Sequence, residues 1–253
     1  TSGDTFKTNY SVNNSFDGNT GSDTVDYSSL DVDDVTVDKV VATLSSATIT
    51  GNSGGSATSA TDSFTSIENI TASAGNDTLT GNASNNTLKG EAGDDILEGA
   101  GGDDYLDGGA NTSTGDTANY SNASEGVSVN LGIDGSSQFI SASQGNDTLV
   151  SIENVIGSNK GDYISGNSTD NTLNGQAGND YLVGLDGADK LIGGTGTDTA
   201  DFSSSGNSVV VDMTKSQTDG SSDTYRVEDD GYGNKEFLDG IENIIGGASD
   251  DTI

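Results

Sequence analysis

Aspartate recurs in this chain at intervals of nine residues, and that spacing is what could do chemistry. Asp77, Asp95, Asp104, Asp162, Asp180, Asp189 and Asp198 each stand sixth in a nine-residue unit, and Asp116 closes a unit that carries three extra residues. Asp23 and Asp251 take the same place in isolated units that open at Gly18 and Gly246. Asn86 and Asn171 replace the aspartate in the second unit of each run. Carboxylates, backbone carbonyls and no histidine or cysteine make a hard, all-oxygen donor set. Such a set suits calcium; transition metals prefer softer ligands, and magnesium demands a tighter octahedron than a flexible turn offers. The bland alternative is a solvated turn residue in a metal-free solenoid.

Charge favours the metal. The chain has 41 acidic and 8 basic residues, a formal charge of −33, which would self-repel in any compact state lacking a cation. With so few large aliphatic side chains, the composition by itself describes a disordered chain, yet the short period is regular. The same charge excludes nucleic acid and insertion into anionic membranes as partners, and no apolar run approaches the ~18 residues of a membrane span. Without histidine or cysteine there is no ordinary general base or thiol nucleophile. Paired carboxylates could serve a glycosidase, but the turns account for them, and no enzyme activity is expected.

The elements that position the aspartates follow from the units. Ala72–Asp107 reads ASAGNDTLT, GNASNNTLK, GEAGDDILE, GAGGDDYLD; Gly157–Ile192 reads GSNKGDYIS, GNSTDNTLN, GQAGNDYLV, GLDGADKLI; GGTGTDTAD follows at Gly193–Asp201. The first six residues predict a turn and the last three a short strand. Glycines at positions one and four permit positive φ and close backbone approach. Position eight is apolar: Leu79, Leu88, Leu97, Leu106, Ile164, Leu173, Leu182 and Leu191. Two units then make one 18-residue coil, with two thin sheets enclosing one apolar column and coils stacked at about 4.8 Å. Two coils per run give only about 10 Å of solenoid at that spacing, so flanking strands must extend or cap it.

A longer period overlies the short one. Ile-Glu-Asn begins at 67, 152 and 241, dividing the chain into 1–71, 72–156, 157–245 and the start of a third run at 246–253. Between runs, Val35, Val37, Val40-Val41, Leu44 and Ile49, then Val127, Val129 and Leu131, then Val209–Val211 predict inserted strands. Tyr27, Tyr120 and Phe202 follow terminal units and are expected to cap the column. Residues 1–17 show no clear period and read as the end of a preceding unit. The sequence stops inside a repeat, as a fragment of something longer would.

These units resemble the RTX (hemolysin-type) calcium-binding nonapeptide, GGxGxDxUx, most closely in GEAGDDILE, GAGGDDYLD, GQAGNDYLV and GGTGTDTAD. The resemblance implies an all-β fold: calcium-bound parallel β-roll segments interrupted by inserted strand or hairpin modules. Each ion would sit between turns on one edge, pairing Asp77 with Asp95, Asp95 with Asp116, Asp162 with Asp180 and Asp180 with Asp198. On the other edge Asn86 would face Asp104 and Asn171 would face Asp189. Carbonyls at positions two and four would complete the shells, among them Glu91, Gly93, Gly102, Gln176, Gly178, Gly187 and Gly196. Lys160 at a position-four glycine and the two asparagines predict weak or empty sites. Glu68, Glu153 and Glu242 read as turn residues, with a ligand role as the alternative. The resemblance further implies several calcium ions, secretion from a Gram-negative cell, and a structural role in a surface protein, either an adhesin stalk or an S-layer. Self-association, other surface proteins or polysaccharide are the possible partners. An accessory module of an extracellular protease or polysaccharide-modifying enzyme is the alternative.

Overall fold

The computed structural model describes residues 3–7, 13–30, 39–53, 56–213 and 227–253. The expected strand positions Val35 and Val37 lie outside these residues. The chain forms two compact units: Thr1–Asn119 with Asp134–Ser137 and Ser143–Ile152, and Tyr120–Ile133 with Gln138–Ala142 and Glu153–Ile253.

The first unit stacks strands on two faces. One face runs Thr5–Lys7, Thr24–Asp26, Asn69–Thr71, Thr87–Ala92, Tyr105–Ala110 and Gly145–Val150, all parallel. The other carries Thr78–Thr80, Ile96–Glu98 and Thr117–Asn119 in parallel. Lys39–Thr43 adds in parallel to Thr78–Thr80. It then leads into an antiparallel meander through Ser46–Ser53 and Ser56–Thr65, against which Ser15–Asp17 lies parallel. Three-residue strands cannot bury a face alone; stacking on identical neighbours is what makes them stable.

The second unit repeats the scheme. Asn154–Ile156, Thr172–Asn174, Lys190–Ile192 and Phe237–Asp239 form one parallel face. Ser128–Asn130, Tyr163–Ser165, Tyr181–Val183, Thr199–Asp201 and Asn243–Ile245 form the other. Val210–Val211 and Val227–Asp229 form a short antiparallel pair, bridged to Thr252 and Glu236 respectively. The only helical turn among the described residues is a 3-10 turn at Leu131–Ile133. The fold is thus an all-β roll of parallel strands with inserted strands and hairpins.

Register explains the apolar column. Leu79 pairs with Leu97, and Ile70 with Leu88, which pairs in turn with Leu106 and then Leu149. Ile164 pairs with Leu182, and Val155 with Leu173, then Leu191 and Leu238. All eight position-eight side chains of the two runs are fully buried, each contributing about 1.5–3 kcal/mol relative to exposure. The flanking strands do extend the stack, because the inserts return to pair with the first or last strand of a run.

Tyr27, Tyr120 and Phe202 are buried and open three like turns, each accepting the N–H of the third residue on: Leu30, Ala123 and Ser205. After them come valines that seat on the first unit of the next run. The N–H of Val40, Val127 and Val209 donates to Oδ1 of Asp77, Asp162 and Asp251 respectively.

Residues 3–7 join the stack. Gly3-Asp4-Thr5-Phe6-Lys7 is half a unit, whose strand pairs with Thr24–Asp26 and whose Asp4 N–H donates to Asp23 Oδ1.

Candidate metal centre

Position-six aspartates stack one above another through the backbone. The N–H of Asp77 donates to Asp95 Oδ1, that of Asp95 to Asp116, that of Asp162 to Asp180 and that of Asp180 to Asp198, at 2.7–2.8 Å. Asn86 and Asn171 donate likewise to Asp104 and Asp189. Every side-chain pair expected from the 18-residue coil is therefore adjacent. Oδ1 is satisfied in each case; what distinguishes one turn from another is Oδ2.

In the first two units of each run the turn closes on itself. The N–H of position two, at Ser73, Asn82, Ser158 and Asn167, donates to the side-chain oxygen of position six. The position-two side chain then accepts the N–H of position four, at Gly75, Ser84, Lys160 and Thr169. This side-chain turn makes no demand for glycine at position four, and Lys160 is accommodated for that reason. Asn86 and Asn171 complete the closure by donating Nδ2 to the carbonyls of Glu68 and Glu153, at 3.0 and 2.9 Å.

In later units the turn is open. Position two adopts a left-handed φ at Glu91 (76°), Ala100 (70°), Gln176 (72°) and Leu185 (77°), and also at Asn19 (61°). Position four is then held at φ of 130° at Gly93 and 138° at Gly178, a conformation that L side chains rarely adopt. Positive φ thus belongs to positions two and four; position one needs glycine for room alone. The Gln176 N–H points out of its turn to Asn174 Oδ1, and the Asn19 N–H to Asp17 Oδ1. Because a trans peptide sets N–H and C=O on opposite sides, the position-one carbonyl swings inward.

The consequence is a hollow lined by oxygen. A Cβ on Gly90 would lie within 3.0 Å of both Asp95 Oδ2 and the Gly108 carbonyl of the next coil. The same pairing of oxygens lies over Gly108 (Asp116, Ser151), Gly193 (Asp198, Gly240) and Gly18 (Asp23, Ser66). Oδ2 of Asp23, Asp95, Asp104, Asp180, Asp189 and Asp198 is buried with no hydrogen-bond partner. An unpaired carboxylate oxygen aimed at a carbonyl is costly, and buried charges persist where they are paired or coordinate a metal.

Protonation reports the same cost. Burial, reinforced by Asp77 and Asp116, pushes Asp95 up to about 8. Burial also pushes Asp104, Asp180 and Asp189 to about 7, each with help from neighbouring carboxylates. Asp77 rises only to about 6, because the N–H groups of Val40 and Ser73 and the Ser73 hydroxyl offset its burial. Asp162 and Asp198 are also raised by burial.

The expected carbonyl donors divide. The Gln176 carbonyl at position two already accepts the Thr195 N–H, and Gly178 pairs with Gly196 between coils. Glu91 similarly pairs with Gly109. Gly93, Gly102 and Gly187 press against the backbone of the preceding coil. A further carbonyl, at the position-one place of the next coil, shares the hollow with Oδ2 over Gly90, Gly108, Gly193 and Gly18. Asp251 stands over Gly246 as the other aspartates stand over their glycines.

Several participants escape the nonapeptide pattern. Asp147 accepts the Asp104 N–H, and its segment Gly145-Asn146-Asp147-Thr148-Leu149 repeats Gly75-Asn76-Asp77-Thr78-Leu79. Glu68 and Glu242 accept the N–H of Asp23 and Asp198, the place a position-six aspartate takes elsewhere. Position five forms an outer ladder, with Asn76, Asn85, Asp103 and Asn179 accepting N–H groups from the neighbouring coil. The three extra residues of the fifth unit have a holder as well: the N–H groups of Thr112, Ser113 and Thr114 donate to Asp94, whose carboxyl lies well below its ordinary range because of these bonds.

Comparison with known families settles the repeat. The family described as RTX calcium-binding nonapeptide repeat (4 copies) matches residues 64–92, 80–114 and 154–200. These are RTX calcium-binding nonapeptide repeats. No curated protein matches the chain as a relative. RTX repeats bind calcium and form β-rolls, so this chain is a calcium-binding structural β-roll segment.

The residues present fit that ion. Among the described residues no three acidic side chains gather round one point, so a calcium in an open RTX turn would draw on one or two carboxylates and on carbonyls. Asp95 Oδ2 with the Gly108 carbonyl, and Asp198 Oδ2 with the Gly240 carbonyl, would hold it; Glu242 stands beside Asp198 as a further oxygen donor. Calcium bound there supplies charge compensation, while the chain's own part is to fix Oδ1 by a backbone N–H so that Oδ2 alone is presented. RTX repeat proteins are typically secreted, and no helix among the described residues is long and apolar enough to cross a membrane.

Proposed function

We infer that this chain is a non-catalytic, calcium-folded structural segment of a secreted cell-surface protein of a Gram-negative bacterium, serving as an adhesin stalk or in a surface layer. What supports this most is the set of buried Oδ2 atoms with no protein partner in the open turns. A fold that buries carboxylates in this way is held together by the cation it binds, so binding free energy becomes folding free energy. In a calcium-poor cytosol the chain stays unfolded and exportable; in a calcium-rich exterior its repeats fold into the β-roll. Far-ultraviolet circular dichroism in calcium and in EDTA tests the reading. A β spectrum lost on chelation and regained with calcium supports it, and one that chelation leaves unchanged rules it out. Formation of two-dimensional sheets on adding calcium separates the surface layer from the stalk.

A further inference from the structure

Among the described residues, one buried carboxylate outside the nonapeptides has no hydrogen-bond partner on either oxygen. Glu236 is fully buried, and neither of its carboxylate oxygens has a hydrogen-bond partner. It belongs to the inserted segment: its backbone bridges Val227, and the strand that follows it, Phe237–Asp239, pairs with Lys190–Ile192 of the roll. The Phe237 N–H donates to the Asp189 carbonyl, as strands after position-six residues do elsewhere. Glu236 thus occupies the position-six place in a coil that the repeat does not supply.

Its side chain does not join the ladder of N–H bonds. It reaches into the hollow over Gly184, where Glu236 Oε1 lies 3.0 Å from the point a Cβ would occupy and Asp189 Oδ2 lies closer still. Asp189 Oδ2 also has no partner. Two unpartnered carboxylates therefore aim at one buried point, where the hollows over Gly90, Gly108, Gly193 and Gly18 offer one carboxylate and one carbonyl. Beside them Asp230 is fully buried, with Oδ1 fixed by the N–H groups of Tyr232, Gly233 and Asn234. Asn234 Nδ2 ties this loop to Asp186 of the nonapeptide turn at 2.8 Å. The neighbouring cations are spent elsewhere: Lys235 pairs with Glu228, and Lys190 lies over the Phe237 ring.

We propose that Glu236 and Asp189 bind a divalent cation, calcium, at a site that clamps the inserted segment 227–239 onto the roll. Two converging carboxylates call for a hard dication with flexible coordination, and Glu236 offers both oxygens, as a bidentate calcium ligand does. Asp230 supplies further negative charge without being needed as a direct ligand. Calcium would then fold the insert as well as the repeats, fixing where the chain re-enters the stack.

The proposal rests on the calcium-folded reading above, and its test separates the two. Calcium is titrated calorimetrically into the full chain and into its Glu236→Gln variant, with hydrogen–deuterium exchange followed over 227–239 and over Tyr163–Ser165. Failure of the unaltered chain to bind calcium or gain protection overturns the general reading. The proposal itself predicts that Glu236→Gln binds one calcium fewer and exchanges at 227–239 at the calcium-free rate, while Tyr163–Ser165 remains protected. Equal stoichiometry and unchanged protection at 227–239 overturn it; that is the result if Glu236 is simply a neutral acid sharing a proton with Asp189, since glutamine mimics that form. Should Glu236→Gln fail to fold, Asp230→Asn decides: a calcium affinity weakened at one site supports the clamp, and unaltered binding refutes it.

Discussion

The closed turns at the head of each run and the open turns behind them share a nine-residue period and treat the same buried carboxylate in opposite ways. In the closed turn at Gly157–Asp162, the Ser158 N–H satisfies Asp162 Oδ2 from within. In the open turn at Gly175–Asp180, the corresponding N–H points away and Asp180 Oδ2 is left bare. One peptide orientation separates a protein-satisfied turn from a cation-demanding one. The difference teaches that calcium dependence is written at positions two and four more than at the aspartate itself. Closed turns begin each run, so a piece of the stack can form before any ion binds.

Acidification should blur the difference most. Asp95, Asp104, Asp180 and Asp189 titrate near 7–8 when folded and near 3.9 when unfolded. Their folded values are raised, so the calcium-free fold is favoured below the unfolded value and loses that support as pH climbs through about 7–8. Calcium-free β content is therefore expected to rise as pH falls from 8 to 5, and the calcium needed for folding to fall with it, while calcium binds the already folded chain more weakly because protons compete for the same oxygens. Calcium-free β content that does not change with pH would break the account.

A glycine pair sharpens the comparison. Gly93→Ala forces a side chain into φ of 130° and onto the Gly75 carbonyl, and is expected to cost about 3 kcal/mol or more in calcium. Gly75→Ala, in a closed turn where serine, lysine and threonine stand in the sister units and φ is not left-handed, should cost less, about 1 kcal/mol. Thermal melts of the two variants in calcium check the contrast; equal losses would remove the distinction between turn classes. A smaller effect is expected from Asn86→Asp. It replaces the Nδ2 donor by an oxygen facing the Glu68 carbonyl, destabilising the chelated protein by about 1–3 kcal/mol, and calcium should recover most of the loss. Denaturant titration with and without EDTA reads both.

Much of this was legible in the sequence. Period nine gave the coil, leucine at position eight gave the column, and the 18-residue spacing brought together the aspartate pairs. The division into turn classes was not legible, because it hangs on a peptide flip that glycine tolerates in either state. Ser73 and Ser158 look like ordinary turn residues until their hydroxyls are seen on the carboxylates. Asp147 and Asp4 sit in half-units, too short for a period to show. Glu236 carries no motif at all; only the pairing of Phe237–Asp239 with Lys190–Ile192 brings it to Asp189.

The central claim is that calcium fills the hollows of the open turns and leaves the closed ones to the protein. Anomalous diffraction from crystals grown in calcium tests it most directly. The account predicts calcium peaks beside Asp95, Asp180 and Asp198 and none beside Asn86 or Asn171. Peaks at the asparagine turns, or none at the aspartate turns, would contradict it.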